Sequence, residues 1–429
     1  MSRPVRRGQA LRYAGWICAP LAFLALALWV ERDGGDWRAP GSDFQRGLAV
    51  SDAKLRRTLD SFDAAGLLQI ELAEAGGEGL PIELTLAPDA LALIRVKENR
   101  ARFKDRAIDA TVRIAEGPRL PATLSLRGET SLWHGRRPNF ELDLLRPQPF
   151  AGGFALRKLF LMAMNEDPHQ IVARFGYRVF GDLGLYPTHV QFVRLAVNGA
   201  AQGLYLLLES PRWGLRRVFP DTVAIHRRLG RYRYRTYWTR DVPSESASLN
   251  RFRTARHTAP GKPLDKLERA LDLDAYLTYL AANSVLLNAD TGAELFFYER
   301  RNDPNRPAPL RPMAWDLDDI GSRRAKPGSL DDPLIFSSRD PFDRLIHQDP
   351  SLRARYTTIL VHLLREQLTE SYLREALTGA LRMRDALDDG LPEAEQRAAQ
   401  TKRAAFAKRL EQRLLERRRV LLATAGPAA

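Results

Sequence analysis

Cysteine is almost absent: Cys18 stands alone among 429 residues. That excludes an internal disulfide framework and any zinc site built on cysteine. No HExxH, CxxC, GxSxG or Walker A pattern occurs, so the best-known metalloprotease, thiol-redox, serine-hydrolase and P-loop signatures are missing. The seven histidines are scattered, with no pair at metal-ligand spacing on a helix, and read as surface or packing residues. The GGEG run at 76–79 reads as a hairpin turn and not as a phosphate cradle. No repeat with a period of roughly 20–50 residues recurs, which rules out solenoids and propellers. An acidic excess is missing as well: 66 Lys and Arg stand against 52 Asp and Glu, a net charge of +14. Anionic partners therefore stay open, whether phosphates, nucleic acid or a lipid surface. With 45% hydrophobic and 28% charged residues the chain has the composition of a folded protein, and its length suits two lobes or two small domains better than one core.

Long apolar runs are equally scarce. One exists, the uncharged stretch from Tyr13 to Val30, preceded by Arg3, Arg6, Arg7 and Arg12. As a helix it would measure about 27 Å, enough for a bilayer core. Trp16 and Trp29 lie near its ends, where amphipathic rings favour the interface. Residues 1–12 then form a cytoplasmic basic tail and 13–30 a single-pass anchor in the inner membrane, with the rest of the chain outside the cytoplasm. A cleaved signal peptide is the rival reading, although Trp29-Val30-Glu31 offers no small-x-small cleavage site.

Residues 31–68 read as a linker and lead-in. From 69 to 210 the pattern is β-rich: QIELA, IELTLA, ATVRIA, ATLSLRG, NFELDLL and LRKLFLMAMN alternate as strands. The charged stretch 89–106 and HQIVARFGYRVFGDLG interrupt them as helices. VQFVRLAVNG and GLYLLLES form a hairpin about the Asn198-Gly199 turn. Residues 211–262 hold an Arg-rich insertion. Residues 263–380 are mostly helical, broken by the strand-like ELFFYERR and PMAWDLDD, and 381–429 end in a basic helix. Strands first and helices later, with a polar cleft between, make an α+β two-lobe plan.

Three segments could carry chemistry. In Trp315-Asp316-Leu317-Asp318-Asp319-Ile320-Gly321, a strand would place Asp316 and Asp318 on one side. Two such carboxylates repel unless a cation lies between them, and Mg²⁺ takes oxygen ligands of this kind; an acidic surface turn or helix cap is the plainer alternative. Asp290 lies in a loop roughly 25 residues ahead of Asp316, the order in which protein kinases place base and Mg²⁺ ligand; alone it could equally be a turn residue. Arg127-Gly128-Glu129-Thr130-Ser131, followed by Arg136-Arg137-Pro138-Asn139, runs from a strand through small residues to a basic pair. Backbone N–H groups and arginine forks in such a turn can meet phosphate oxygens, and an ordinary surface hairpin would look the same.

Together these segments resemble the CotH family of kinase-fold proteins. The resemblance rests on four motifs in order: RGETS with GRRPNFELDL, RKLFLMAMNEDPHQIVARFGYRVFGDLGL, VNGAAQGLYLLLES, and NADTGAELFFYERR with MAWDLDDIG, over roughly residues 69 to 375. It implies an atypical protein-kinase-like two-lobe fold that moves phosphate from ATP to protein Ser/Thr with Mg²⁺. Position by position it makes Asp290 the base or substrate positioner, Asp316 a metal ligand and Asp318 a further metal carboxylate. Arg127, Thr130 and Ser131 would meet the phosphates, with Arg137 in the same basic approach. Glu209 would pair a basic residue or border the nucleotide. Two positions depart from the pattern: Arg136-Arg137-Pro138 replaces the usual lysines, and Glu294 replaces an asparagine, keeping a possible Mg²⁺ ligand while adding negative charge.

Two functions follow. One is a membrane-anchored phosphotransferase acting on an envelope or secreted protein. The other is a catalytically silent CotH-like module that binds or organises surface components. Nucleic-acid binding has weaker support: Arg212 to Arg240 holds nine arginines among aromatic rings, but charge alone is nonspecific and export would remove the ligand. Anionic lipid or polysaccharide suits that stretch better.

Overall fold

The computed structural model describes residues 79–95, 100, 106–128, 137–149, 155–229, 233–240, 247–257, 260–288, 295–301, 308–322, 334, 340–388 and 391–425. The expected tail, anchor and linker (1–68) and the QIELA strand fall outside them. Among the described residues no helix is long and apolar enough to cross a membrane.

Alternating side chains build the first half. Strands β1 (Leu80–Leu86), β2 (Ile108–Ile114), β3 (Arg119–Arg127), β4 (Asn139–Pro149), β5 (Ala155–Met162), β6 (Val190–Val197) and β7 (Ala200–Glu209) join in the order β1-β2-β3-β4-β5-β7-β6. The barrel closes because β1 pairs in parallel with β6, Leu80 opposite Val193 and Leu84 opposite Val197. Closure removes the free edges an open sheet would leave. Asn198 and Gly199 both take positive φ (48° and 75°), as the two-residue hairpin requires. Asn198 does more than turn the chain: its side chain accepts from Leu86 N at 2.7 Å and donates to Leu86 O at 2.9 Å, holding the hairpin to β1.

Period-two alternation separates two cores. Leu124, Leu126, Phe140, Leu142, Leu159, Leu161, Val193, Leu195, Tyr205 and Leu207 fill the barrel. On the other face of β5, β6 and β7, Phe160, Phe192, Leu206 and Leu208 join the helical core. These strands read as nearly continuous apolar runs because both faces are buried.

Helix α1 (Pro88–Arg95) follows β1, and α2 (Val172–Asp182) links β5 to β6. After the barrel come α3 (Pro211–Val218), β8 (Thr222–Leu229), β9 (Arg233–Thr239) and α4 (Ala247–Ala255). This is the stretch read from sequence as an Arg-rich insertion, and it corrects that reading: β8 pairs with β10 (Leu295–Arg300) inside a second sheet of order β11-β10-β8-β9, β11 being Arg311–Ala314. Arginine-rich composition hid a strand whose alternate residues Val223 and Ile225 are buried.

Helices α5 (Asp265–Ala270), α6 (Leu273–Leu286), α7 (Pro341–Gln348), α8 (Pro350–His362), α9 (Glu370–Asp385) and α10 (Glu393–Ala425) complete the fold. Every residue of α6 is buried, which explains its lack of a polar face; Asp272 caps it by accepting from Ala275 N at 3.2 Å. Under it runs a polar network. Arg228 donates to the Tyr276 hydroxyl at 2.8 Å, which donates to Asp343 at 2.7 Å, and Tyr234 donates to Asp340 at 2.6 Å.

The basic C-terminal helix α10 is more than a solvated face. Leu410, Leu414 and Leu421 are buried, and its arginines bind chain carbonyls: Arg417 donates to Ser284 O at 3.0 Å and Arg418 to Leu364 O at 2.7 Å. Cations beside the carbonyls that end α6 and the turn after α8 are favourably placed.

Candidate functional site

The site forms where the outer wall of the barrel meets the β11 end of the second sheet. Because Leu124, Leu126, Leu142, Leu159 and Leu161 point inward, Arg127, Glu141, Lys158 and Phe160 point outward. Register places Ser125 opposite Glu141 and Glu141 opposite Phe160. Arg127 forks onto one Glu141 oxygen and Lys158 bonds the other, so one buried acid holds two cations. Both cations keep 27% side-chain exposure, so they reach solvent beside the buried Glu141 carboxylate. The Arg127 guanidinium also lies 5.2 Å from the centre of the Phe160 ring.

Phe160 connects this triad to the acidic segment. It meets Trp315 edge-on at 5.5 Å, and Trp315 is further held by Phe296 at 5.4 Å and Tyr186 at 6.4 Å. Strand β11 ends at Ala314, and Asp316 takes a left-handed conformation, φ 56°. The sequence expectation that Asp316 and Asp318 share a face of a strand is therefore corrected: once Trp315 is docked, the chain turns. Aspartate tolerates this conformation better than most residues. The turn still brings the two carboxyls together, since Asp316 hydrogen-bonds Asp318.

Helix α2 supports that turn from below. Gly176 has no side chain, and a Cβ there would meet Ile320 Cδ1 at 2.5 Å and Leu317 Cβ at 3.0 Å. The Tyr177 hydroxyl is hydrogen-bonded to the Asp316 backbone. On the other side Gly321 N donates to Leu286 O at 3.0 Å, and Arg413 of α10 donates to Gly321 O and, at 3.0 Å, to Ser322 O.

The local field is negative. Burial pushes the Asp318 carboxyl up to about 6, and the charges of Asp319 and Glu166 add to the push. Asp167 is 1% exposed; burial and the neighbouring Asp318 raise it to about 6, even though its Oδ2 accepts from Val172 N (2.7 Å) and Ala173 N (3.1 Å) at the start of α2. Carboxylates whose charge is so costly suit a hard cation with oxygen ligands. Among the described residues no three His, Cys, Asp or Glu side chains are grouped to hold a metal ion. Asp316 and Asp318 would thus supply only part of a Mg²⁺ shell.

Other sequence candidates fare differently. Thr130, Ser131, Asp290 and Glu294 lie outside the described residues. The chain enters the Asp290 loop from Asn288, whose Nδ2 donates to Asn283 Oδ1 at 2.8 Å, and leaves it at Leu295, which pairs with Ala314 just before Trp315. Arg137 corrects its phosphate-facing reading. Its guanidinium donates to Gln202 O (3.0 Å), Leu204 O (2.8 Å) and Ala163 O (2.5 Å) and lies 5.0 Å from the Tyr205 ring centre. It closes the barrel end where β4 enters, together with Asn139, which accepts from Ala163 N at 2.7 Å. Glu209 is 1% exposed and bound by Arg217 through both oxygens, at 3.1 and 2.7 Å. It pairs a basic residue and presents no free edge to a ligand.

Glu141, Lys158 and Asp167 received no role from the sequence. The signal for the first two was there: a charged residue at an outward position between buried leucines in both FELDL and RKLFL. Asp167 gave none, since an Asp before a helix is common.

No curated protein matches the chain. The family model described as CotH kinase protein matches residues 124–412, from β3 into α10, and includes the triad, the hairpin and the turn at Asp316. The chain, with its mixed barrel and helical architecture, belongs to the CotH kinase protein family.

Proposed function

We propose that the protein is a Mg-ATP-dependent phosphotransferase acting on Ser or Thr of an envelope or secreted protein, held to the inner membrane by residues 13–30. The observation that carries this reading is the approach of the Arg127–Glu141–Lys158 triad, a buried acid with two partly exposed cations, through Phe160, to Trp315 and the Asp316–Asp318 pair. Cations on the barrel wall suit phosphate oxygens, and paired carboxylates suit Mg²⁺, which commonly completes its shell with substrate phosphates and water. In this reading Arg127 and Lys158 receive the nucleotide phosphates beside Thr130 and Ser131. Asp316, Asp318 and Glu294 hold the metal, and Asp290 orients the acceptor hydroxyl. Bound Mg²⁺ would neutralise charge on the transferred phosphoryl group.

A second reading, a silent binding module, is favoured by two features: Glu141 already engages both cations of the triad, and Arg137 gives three N–H bonds to chain carbonyls. Calorimetric titration of ATP into the detergent-solubilised full chain, with and without Mg²⁺, separates the two. The catalytic reading expects Mg²⁺-dependent binding that Asp316→Ala abolishes. Absence of nucleotide binding by wild type at every Mg²⁺ concentration would overturn it. An alkaline phosphatase fusion to the C-terminus tests the outward topology, for which an active fusion is expected.

A further inference from the structure

Arginines and indoles from separate elements meet on the far end of the Arg-rich stretch. Arg212 and Arg216 stand four residues apart on α3 and so share a face. The Arg212 guanidinium lies 5.4 Å from the Trp213 ring centre and 5.5 Å from that of Trp238; for Arg216 the distances are 5.5 and 5.0 Å. Arg157 of β5 covers Trp213 at 4.5 Å. Because Trp238 belongs to β9, the rings tie helix to sheet. Each cation–π contact fixes the guanidinium plane against a ring, so that its N–H edge can meet an oxyanion.

What these cations lack is an acid. Asp143 pairs with Arg157 at 3.5 Å, Glu209 with Arg217 and Asp221 with Arg300, and none of the three pairs with Arg212 or Arg216. Among the described residues neither Arg212 nor Arg216 forms an ion pair, and the buried Nε of Arg212 has no hydrogen-bond partner. Arg240 adds a further charge while donating to Pro220 O and Thr222 O. Burial and the charges of Arg212 and Arg240 lower the pKa of Arg216, the mark of like charges crowded without a counter-ion.

We propose that Arg212 and Arg216, set on Trp213 and Trp238 with the charge of Arg240 nearby, form a docking site for a phosphorylated Ser or Thr side chain of a protein partner. Two arginine forks match the several oxygens of a phosphomonoester and its near-double charge, where a single carboxylate would leave the cluster under-neutralised. A lipid surface is disfavoured because membrane-binding patches present bare aromatic rings to the acyl boundary, and here guanidiniums cover the rings. Single-stranded nucleic acid needs open ring faces for stacking, which the same contacts occupy. The site uses none of Asp290, Asp316 or Asp318, so it stands or falls apart from the phosphotransfer reading.

The test is fluorescence anisotropy of a labelled Ala-Gly-phosphoserine-Gly-Ala peptide with the full chain, beside its serine twin. The phosphopeptide is expected to bind at least tenfold more tightly than the twin, and R212Q/R216Q to weaken it at least tenfold. If the double variant does not fold, R216K, which keeps the charge and loses the fork, is expected to weaken binding at least threefold. Equal affinity for both peptides overturns the proposal, as does wild-type affinity in R212Q/R216Q or in R216K. Capture of the chain by vesicles of phosphatidylglycerol in phosphatidylcholine without phosphopeptide binding would overturn it in favour of a membrane surface.

Discussion

Replacing Asp167 with Asn should stabilise the protein at neutral pH, and by an amount that depends on pH in a defined way. Asp167 is buried, caps the start of α2 through Oδ2, and has an Oδ1 without a hydrogen-bond partner among the described residues. Burial, opposed by the helix N–H groups and reinforced by Asp318, lifts its carboxyl to about 6, against about 3.9 in an unfolded chain. A folded-state pKa raised in this sense favours the folded protein in full below about pH 4. That contribution is lost as pH rises through 6. A gap of about two units corresponds to about 3 kcal/mol. Asn, which ranks with Asp at helix N-termini, keeps an oxygen for Val172 N and Ala173 N but cannot ionise. D167N should therefore be about as stable as wild type at pH 4 and about 3 kcal/mol more stable at pH 7.5. Urea midpoints at pH 4, 5, 6 and 7.5, compared between the two proteins, measure this. Parallel pH profiles, or a D167N that is least stable at pH 7.5, would refute the reasoning by showing that the ionised carboxylate is needed in place.

Two further outcomes follow from close packing and buried charge. Gly176→Ala should lower stability by about 1–3 kcal/mol, since the added methyl overlaps Ile320 and Leu317, and should displace the Asp316 turn; loss of Mg-ATP binding with the melting transition still cooperative would separate the local effect from unfolding, and an unchanged melting temperature would contradict the contact. Arg217→Ala should cost about 3–5 kcal/mol by leaving the buried Glu209 without its cation. Adding Glu209→Gln to that variant should restore part of the loss in a thermal melt, and a double variant no better than the single would count against an electrostatic cause.

Local chemistry made much of this protein legible in its residues. The Asn198-Gly199 hairpin, the alternation of β3, β4 and β5, and α2 follow from signals contained within a few neighbouring positions: positive φ at a two-residue turn, period two, period 3.6. The order of four short motifs pointed to the family for the same reason, because each is a contiguous stretch. Partner choice is another matter. Arg137 looks like a phosphate ligand in a basic run, yet closing the barrel brings it to the carbonyl of Leu204, 67 positions away, and a guanidinium binds whichever oxygens the fold delivers. Residues 222–229 read as part of an Arg-rich insertion until β10 pairs with them. Asp316 leaves the strand because Trp315 is seized by Phe160, Phe296 and Tyr186, rings contributed by β5, β10 and the connection between α2 and β6. Sequence alone therefore determined the kinship and those elements whose causes are local. Only tertiary structure decided which charges meet, because that depends on distances set by the closed barrel and the helices packed against it.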